Sequence, residues 1–440
     1  MRLLLRFSLP MLVGNIFQQF YSMVDAMIVG RFVGVDALAA VGATGGMSFL
    51  VLGFVIGLAN GFCVVVSQRF GARDEAGLRR CVAMTMLLSL IVTAVATAAS
   101  FLGTEPMLRA MNTPENIFSD SAAYIGIIFL GLGASLFYNL FSGLLRAVGD
   151  TKRPLYCLAA AGLINVVLNL VFVIGFSMSV AGVALATIIS QTVSACMVTR
   201  MLMKEEGALH LDLHHLGFHM GALKQILLIG LPAGLQSTVF SLSNVVIQSA
   251  INSFGSTVVA GSSASANLEG FVYTAMNAFS QAAVTFTSQN MGARKYQNLN
   301  RVVLNCLLCA IVTGVVLGGG AVLAGTQLLH FYSSDAAVIA AGYERLRVIC
   351  GTYLLCGIMD TLASSLRGLG YSVLPMVVSL IGSCLLRLVW IATIFQLNRT
   401  PFMLYISYPI SWVLTAAVHL ACLLVVRHKM RQRGQTLQAV

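Results

Sequence analysis

The sequence predicts an all-α, polytopic membrane protein of twelve transmembrane helices, arranged as two pseudo-symmetric six-helix lobes. Three observations carry that prediction. The first is composition: of 440 residues, 58% are hydrophobic and 9% charged, whereas soluble domains average about 25% charged residues. So few polar side chains do not cover a water-exposed surface, which excludes a soluble enzyme, and so much apolar character excludes a disordered chain. The second is the length of the apolar runs. They match the ~20 residues of a spanning helix, not the alternating ~10-residue segments of a membrane barrel. The third is an internal repeat.

Apolar runs and their breaks place the helices at 7–29, 37–68, 81–103, 121–145, 155–175, 180–203, 225–253, 257–288, 301–325, 336–366, 373–397 and 402–426. Several exceed the minimum needed to cross, so tilt or protrusion beyond the bilayer is expected. Pro10 and Pro232 are read as lying near helix starts, where a missing N–H costs least. The repeat ties the first six helices to the last six. SQRFGARDEAGLRR (67–80) aligns with SQNMGARKYQNLNR (288–301) at a shift of 221, and LRAVGDTKRP (145–154) with LRGLGYSVLP (366–375) at the same shift. A shift that spans an even number of crossings gives two halves of the same orientation, an architecture of transporters. The expected domains are therefore 1–203 as the N-terminal lobe, 204–224 as a cytoplasmic linker and 225–440 as the C-terminal lobe.

The formal net charge of +11 raises the question of nucleic acid, and the placement of the charges answers it. Of 26 Lys and Arg, 20 fall at one set of alternating loops and at the two ends, Arg69, Arg73, Arg79, Arg80, Arg153, Arg294 and Lys295 among them; the other six are Arg31, Arg109, Arg345, Arg347, Arg387 and Arg399. That bias is the positive-inside pattern. It places both termini in the cytoplasm and leaves a nucleic-acid partner nothing to explain.

Cysteines Cys63, Cys157, Cys196, Cys306, Cys309, Cys384 and Cys422 lie within apolar runs and read as small apolar residues. Cys306 and Cys309 have metal-ligand spacing but no second pair, so no metal is expected. The linker holds His210, Asp212, His214, His215 and His219. An interfacial amphipathic segment accounts for them better than metal sensing does.

An ionisable residue inside the hydrocarbon is a functional candidate by default. Asp25 in the first helix, Glu269 in the eighth, Asp360 in the tenth and Arg387 in the eleventh meet that condition. Asn165 and Asn169, four residues apart, share one face of the fifth helix, with Thr187 on the sixth and Tyr124 on the fourth. Counted from the outer helix ends, Asp25, Asn169 and Thr187 lie at like depths of about 7, 9 and 11 Å. One carboxylate, two amides and a hydroxyl at that level form a candidate ion-coupling site for a proton or sodium, against the plainer reading that Asn and Thr glue helices together. Asp360 and Arg387 are expected to form a structural ion pair or, alternatively, to take a direct part in coupling, and with Glu269 they are the candidate residues of the C-lobe cavity. Glu269, with no cationic neighbour in sequence, is expected to stay protonatable or to meet a cationic substrate. No nucleophile–base arrangement and no phosphate loop converge, so catalysis and cofactors are not expected.

At these residues the chain resembles the multidrug and toxic compound extrusion (MATE) family of secondary transporters, in its DinF-related, MepA-like bacterial branch. The resemblance runs over nearly the whole chain and rests on FQQFYSMVDAMIVGRFVG (17–34), the two GAR loops, LRAVGD with LRGLG, and VAGVALATIISQ (180–191). It implies two lobes around a central cleft, rocking between inward- and outward-facing states. It further implies a monomer in the bacterial cytoplasmic membrane that exports cationic or amphipathic compounds against a proton or sodium gradient. The family's first-helix aspartate corresponds to Asp25, and its polar network to Tyr124, Asn165, Asn169 and Thr187. Many members carry a second aspartate where this chain has Asn169, and one branch has a seventh-helix glutamate where this chain has Phe240. Those departures leave Asp25 as the only carboxylate of the N-lobe network and favour the proton over sodium. A lipid-linked saccharide flippase of the same superfamily is the alternative, and it would need several cationic groups in its cavity. A passive channel fits the parallel repeat poorly.

Overall fold

The computed structural model describes residues 1–110, 113, 115–207, 209–210 and 217–438. α1 (Arg2–Ile28) closes in a wide turn, Val29–Val33, in which the Gly34 N–H reaches the Val29 carbonyl at 3.1 Å. α2 (Val35–Gly71), α3 (Glu75–Ala110), α4 (Glu115–Leu130), α5 (Leu132–Ala147), α6 (Lys152–Leu170) and α7 (Val180–Met203) follow. The second half holds α8 (Met220–Asn252), α9 (Ser256–Gly292), α10 (Tyr296–Thr313), the short α11 (Gly319–Leu323) and α12 (Gly325–His330), then α13 (Ala336–Gly351) and α14 (Tyr353–Gly368). It ends with α15 (Val373–Ser379), α16 (Leu386–Ala392), α17 (Ile394–Leu397), α18 (Pro401–Tyr405) and α19 (Ser407–Gln438). No strand occurs among the described residues. Only helices satisfy every backbone group within one segment in lipid. Accordingly, segments that continue one another through a wide turn or a bend give the twelve rods expected from the sequence.

Eight stretches are long and apolar enough to cross a membrane alone, and the bent pairs α4–α5 and α13–α14 raise the number to ten. The remaining two rods, α1 and α9, carry more polar side chains, including Asp25 and Glu269. Both bent pairs turn by 43°. Their break residues, Gly131 and Thr352, stand 221 apart, the same shift as the sequence repeat. At Gly131 a Cβ would come within 2.5 Å of Ile188; at Thr352 the hydroxyl bonds the Val348 carbonyl at 2.6 Å, taking up an acceptor the bend frees.

The prolines depart from expectation. Pro10 and Pro232 lie inside α1 and α8, not at their starts, because both helices begin earlier than the apolar runs do. The added N-terminal turns carry Arg2, Arg6 and Lys224, so their polarity hid them from a reading based on hydropathy. At the other end α19 runs to Gln438, well past the predicted 426. Cys157, Cys306, Cys309 and Cys384 are buried, whereas Cys196 is exposed.

The chain divides into two compact units, Val13–Ser241 and Met1–Leu12 with Leu242–Val440. The division thus falls within α1 and α8. Local packing gives the reason. Leu4, Phe7 and Met11 are buried with Ala278, Phe279 and Cys306 of the second unit, and Phe7 meets Phe286 edge-on at 5.1 Å. The first half of α8 lies instead on α2. A Cβ on Gly61 would sit 2.3 Å from Gly230 Cα, and one on Gly57 would sit 2.7 Å from the Ala233 carbonyl. The helices touch backbone to backbone there, the usual role of small residues between membrane helices.

Within Val13–Ser241, α2 packs on α5, α4 and α3, and α6 on α7, around Met47, Leu108, Ile125 and Phe129. The other unit is built on α9, which packs against α13, α14 and α10, with α19 against α14. Large apolar side chains such as Leu102, Leu163, Val316 and Leu323 are exposed, as a lipid-facing surface requires.

Candidate functional site

The site in Val13–Ser241 grows from one helix face. Asn165 and Asn169, one turn apart on α6, are both fully buried. The Asn169 amide donates to Asp25 Oδ1 at 2.5 Å and to Asn165 Oδ1 at 3.2 Å. With the Asn165 amide turned so that its nitrogen faces the carboxylate, it donates to Asp25 Oδ1 at 2.6 Å and Oδ2 at 3.2 Å. Thr187 stands 3.5 Å from the Asn165 side chain, and its hydroxyl donates to the Val183 carbonyl at 3.0 Å. Tyr124 joins through packing, against the cluster of Ile28, Val29, Val173 and Val183 that walls the site. α1, α4, α6 and α7 thus bring all five predicted residues to one place.

Its chemistry is that of a half-buried carboxylate whose charge is met by neutral N–H donors and by no cation within ion-pair distance among the described residues. Asn169 Oδ1 is buried with no hydrogen-bond partner. A buried acceptor without a partner is costly in a dry interior. Elsewhere in the same unit, Ser135 hydrogen-bonds Gln191, and Asn139 donates to the Ser135 carbonyl at 2.8 Å.

In the other unit the structure corrects two expectations. Glu269 is not free of cations. Arg345 grips it with two bonds, Nε to Oε1 at 2.8 Å and an Nη to Oε2 at 2.9 Å. Ser265 donates to Oε1 at 2.8 Å, and Arg345 donates to Ser262 at 2.6 Å. Arg345 and Glu269 are 8% and 5% exposed, and the guanidinium lies 5.8 Å from the Tyr405 ring. Arg345 lies in the predicted helix 336–366, 76 residues from Glu269, and that separation gives no sign that the two helices adjoin. The helical spacing of Ser262, Ser265 and Glu269 was the available signal that one face of α9 is polar.

The second correction concerns Asp360 and Arg387, which form no ion pair. Arg387 donates from Nε to Ser411 at 2.8 Å and lies over the Tyr408 ring at 4.2 Å, with Trp412 at 5.8 Å. Aromatic faces stabilise a desolvated guanidinium without a carboxylate. Asp360 has Cys356 Sγ at 4.0 Å. Arg387 belongs instead to a polar ladder between two antiparallel rods. Ser379 meets His419 at 3.1 Å, Ser383 meets Thr415 at 3.3 Å and Arg387 meets Ser411 at 2.8 Å. Each partner advances by four residues, so the register of the two rods is set by three hydrogen-bonded rungs.

Loops on the basic side carry ordinary surface pairs. Arg69 bonds Asp74 at 2.9 Å and Gln225 at 2.9 Å. The Gly77 backbone N–H, and after it Arg69, hold the Asp74 carboxyl below the usual aspartate range. Arg153 pairs with Asp150 and with Glu205. In the linker, His210 lies 3.1 Å from the Glu205 carbonyl; Asp212, His214 and His215 fall outside the described residues.

The MatE family model matches residues 10–171 and, a second time, residues 232–393. The probable multidrug resistance protein YpnP of Bacillus subtilis is 29% identical over 401 residues, 87% of this chain and 86% of that protein. The probable multidrug resistance protein YoeA of the same organism is 28% identical over 381 residues, 85% and 82% of the two chains. The fold matches the solved structure of a MOP superfamily transporter from Pyrococcus furiosus with a TM-score of 0.92, over 98% of this chain and 96% of that one, at 21% identity.

Proposed function

The chain belongs to the MatE family of multi-pass membrane transporters, and from that premise we propose that it is a secondary antiporter that exports small molecules by alternating access. The observation that carries the proposal is Asp25 held by the amides of Asn165 and Asn169. A carboxylate kept in apolar surroundings by neutral donors alternates between charged and neutralised states at a cost the site already bears. Both termini are proposed to face the cytoplasm, from the distribution of Lys and Arg.

The proposed cargo is amphipathic and cationic or neutral, in keeping with the multidrug resistance names that YoeA and YpnP carry. Glu269 is a poor cation receptor, since Arg345 already meets its charge; Asp25 and Asp360 remain. The flippase alternative is not favoured: of the buried arginines, Arg345 is neutralised by Glu269 and Arg387 is covered by aromatic rings.

Asp25→Asn tests the proposal. In proteoliposomes the variant should lose efflux driven by an imposed ion gradient while keeping the wild-type melting temperature. Wild-type efflux by that well-folded variant would remove Asp25 from the mechanism.

A further inference from the structure

Four helices end at their loops with the same pair of backbone hydrogen bonds. After α2, Asp74 N–H reaches the Arg69 carbonyl at 3.1 Å and Arg73 N–H the Phe70 carbonyl at 3.1 Å. After α9, Lys295 reaches Asn290 at 2.9 Å and Arg294 reaches Met291 at 3.1 Å. After α5, Asp150 reaches Leu145 and Gly149 reaches Arg146, both at 2.9 Å; after α14, Tyr371 reaches Leu366 at 3.1 Å and Gly370 reaches Arg367 at 2.9 Å. This closure forces its penultimate residue into the left-handed region, where glycine is the usual occupant. The chain follows that usage at Gly149 and Gly370, with φ of 98° and 93°. It does not at Arg73 and Arg294, which both hold φ of 56°.

The two arginines are related by the repeat, and neither side chain has a hydrogen bond or ion pair among the described residues. Both side chains are exposed. Arg69, four residues before Arg73, is by contrast bound to Asp74 and Gln225. General attraction to an anionic membrane surface would be served by any position on the loop or the first two turns of the next helix, as at Arg79, Arg80 and Arg301. It gives no reason to put a guanidinium where the backbone asks for glycine. Strain that persists at equivalent places points to a function located there.

We propose that Arg73 and Arg294 each bind the phosphate of an anionic phospholipid headgroup. A guanidinium matches a phosphate with two parallel N–H bonds, which a lysine does not. Both sit on a short loop that follows a 37-residue helix, on the side where Lys and Arg collect and an anionic membrane surface is expected. The surroundings of Arg294 favour an anion, since the segment from Asn290 to Arg301 contains no acid. Beside Arg73 the Asp74 carboxylate is occupied by Arg69 and by the Gly77 N–H, which leaves the exposed Glu75 as the one competing acid at that loop.

The test uses the purified full chain in nanodiscs of phosphatidylcholine alone or mixed with phosphatidylglycerol. Wild type should gain melting temperature with the anionic lipid. Arg73→Gly/Arg294→Gly should lose most of that gain yet be at least as stable as wild type in phosphatidylcholine, because glycine suits the backbone. Arg79→Gln/Arg80→Gln should keep the gain, and inorganic phosphate added in detergent should not reproduce it. The proposal is overturned if the glycine variant keeps the full gain or fails to fold, if the glutamine variant loses as much, or if phosphate alone gives the wild-type shift.

Discussion

Arg345 and Glu269 meet through two parallel hydrogen bonds of 2.8 and 2.9 Å, 76 residues apart in sequence and both almost fully buried. Ser262 and Ser265 complete the set, one on each partner. Both charges are therefore met inside the protein, although the hydroxyl of the adjoining Tyr405 is buried without a hydrogen-bond partner among the described residues. At the Asp25 site, by contrast, the carboxylate meets no cation among the described residues. A buried charge pair with its hydrogen bonds made rigidifies its surroundings.

The pair should consequently behave as a structural unit. Glu269→Gln and Arg345→Met should each destabilise by about 3–5 kcal/mol, because one charge is left behind in low dielectric. Replacing both, as Glu269→Leu/Arg345→Met, should recover much of that loss. Asp360→Asn and Arg387→Met, which form no ion pair, should couple less strongly in the same double-mutant cycle. Melting temperatures of the two cycles in detergent decide the matter; equal or larger coupling for Asp360 and Arg387 would contradict this assignment.

Close helix contact in Val13–Ser241 makes a second prediction. Gly61→Ala places a methyl group 2.3 Å from Gly230 Cα, and backbone does not yield as a side chain does. The expected cost is about 1–3 kcal/mol from overpacking, with a lower yield of monodisperse protein. Gly45→Ala on the same helix is the control, since nothing lies within 4 Å of its Cβ position. Equal stability of the two variants would show that α2 and α8 are not held together at Gly61.

The same contrasts explain what the sequence made legible. Asn165 and Asn169 were readable because their relation is local: four residues on one helix face, at the depth of Asp25. The bends at Gly131 and Thr352 share the spacing of the motifs that revealed the repeat. Arg345 was not paired with Glu269 because neither sequence distance nor charge placement says which helices adjoin. The missing Asp360–Arg387 bridge has a related cause: the sequence does not show how each helix is rotated about its axis, and Arg387 turns towards Ser411 and Tyr408. Hydropathy also fixed helix ends poorly where charged turns extend a rod, as before Pro10 and Pro232.

The coupling ion is the last prediction, and the direction of the amides bears on it. Asn169 presents its nitrogen to Asp25 at 2.5 Å, and Asn165 does so at 2.6 Å when turned to satisfy the carboxylate. Two N–H donors on one carboxylate suit a group that exchanges a proton, which needs no further ligand. Sodium is a hard cation that needs several oxygens around it; here both amides would have to rotate to offer theirs, giving up bonds to the carboxylate. The membrane potential contributes ~2.3 kcal/mol per charge per 100 mV for either ion, so only the ligands separate the two. Reconstituted protein should therefore show efflux that follows an imposed pH gradient at constant sodium and is indifferent to a sodium gradient at constant pH. The opposite pattern would falsify proton coupling. Asn169→Asp supplies a second carboxylate at the same place and removes one of the two donors; it should make efflux newly sensitive to sodium. If that variant stays indifferent to sodium while remaining folded and active, the face shared by residues 165 and 169 does not set ion choice.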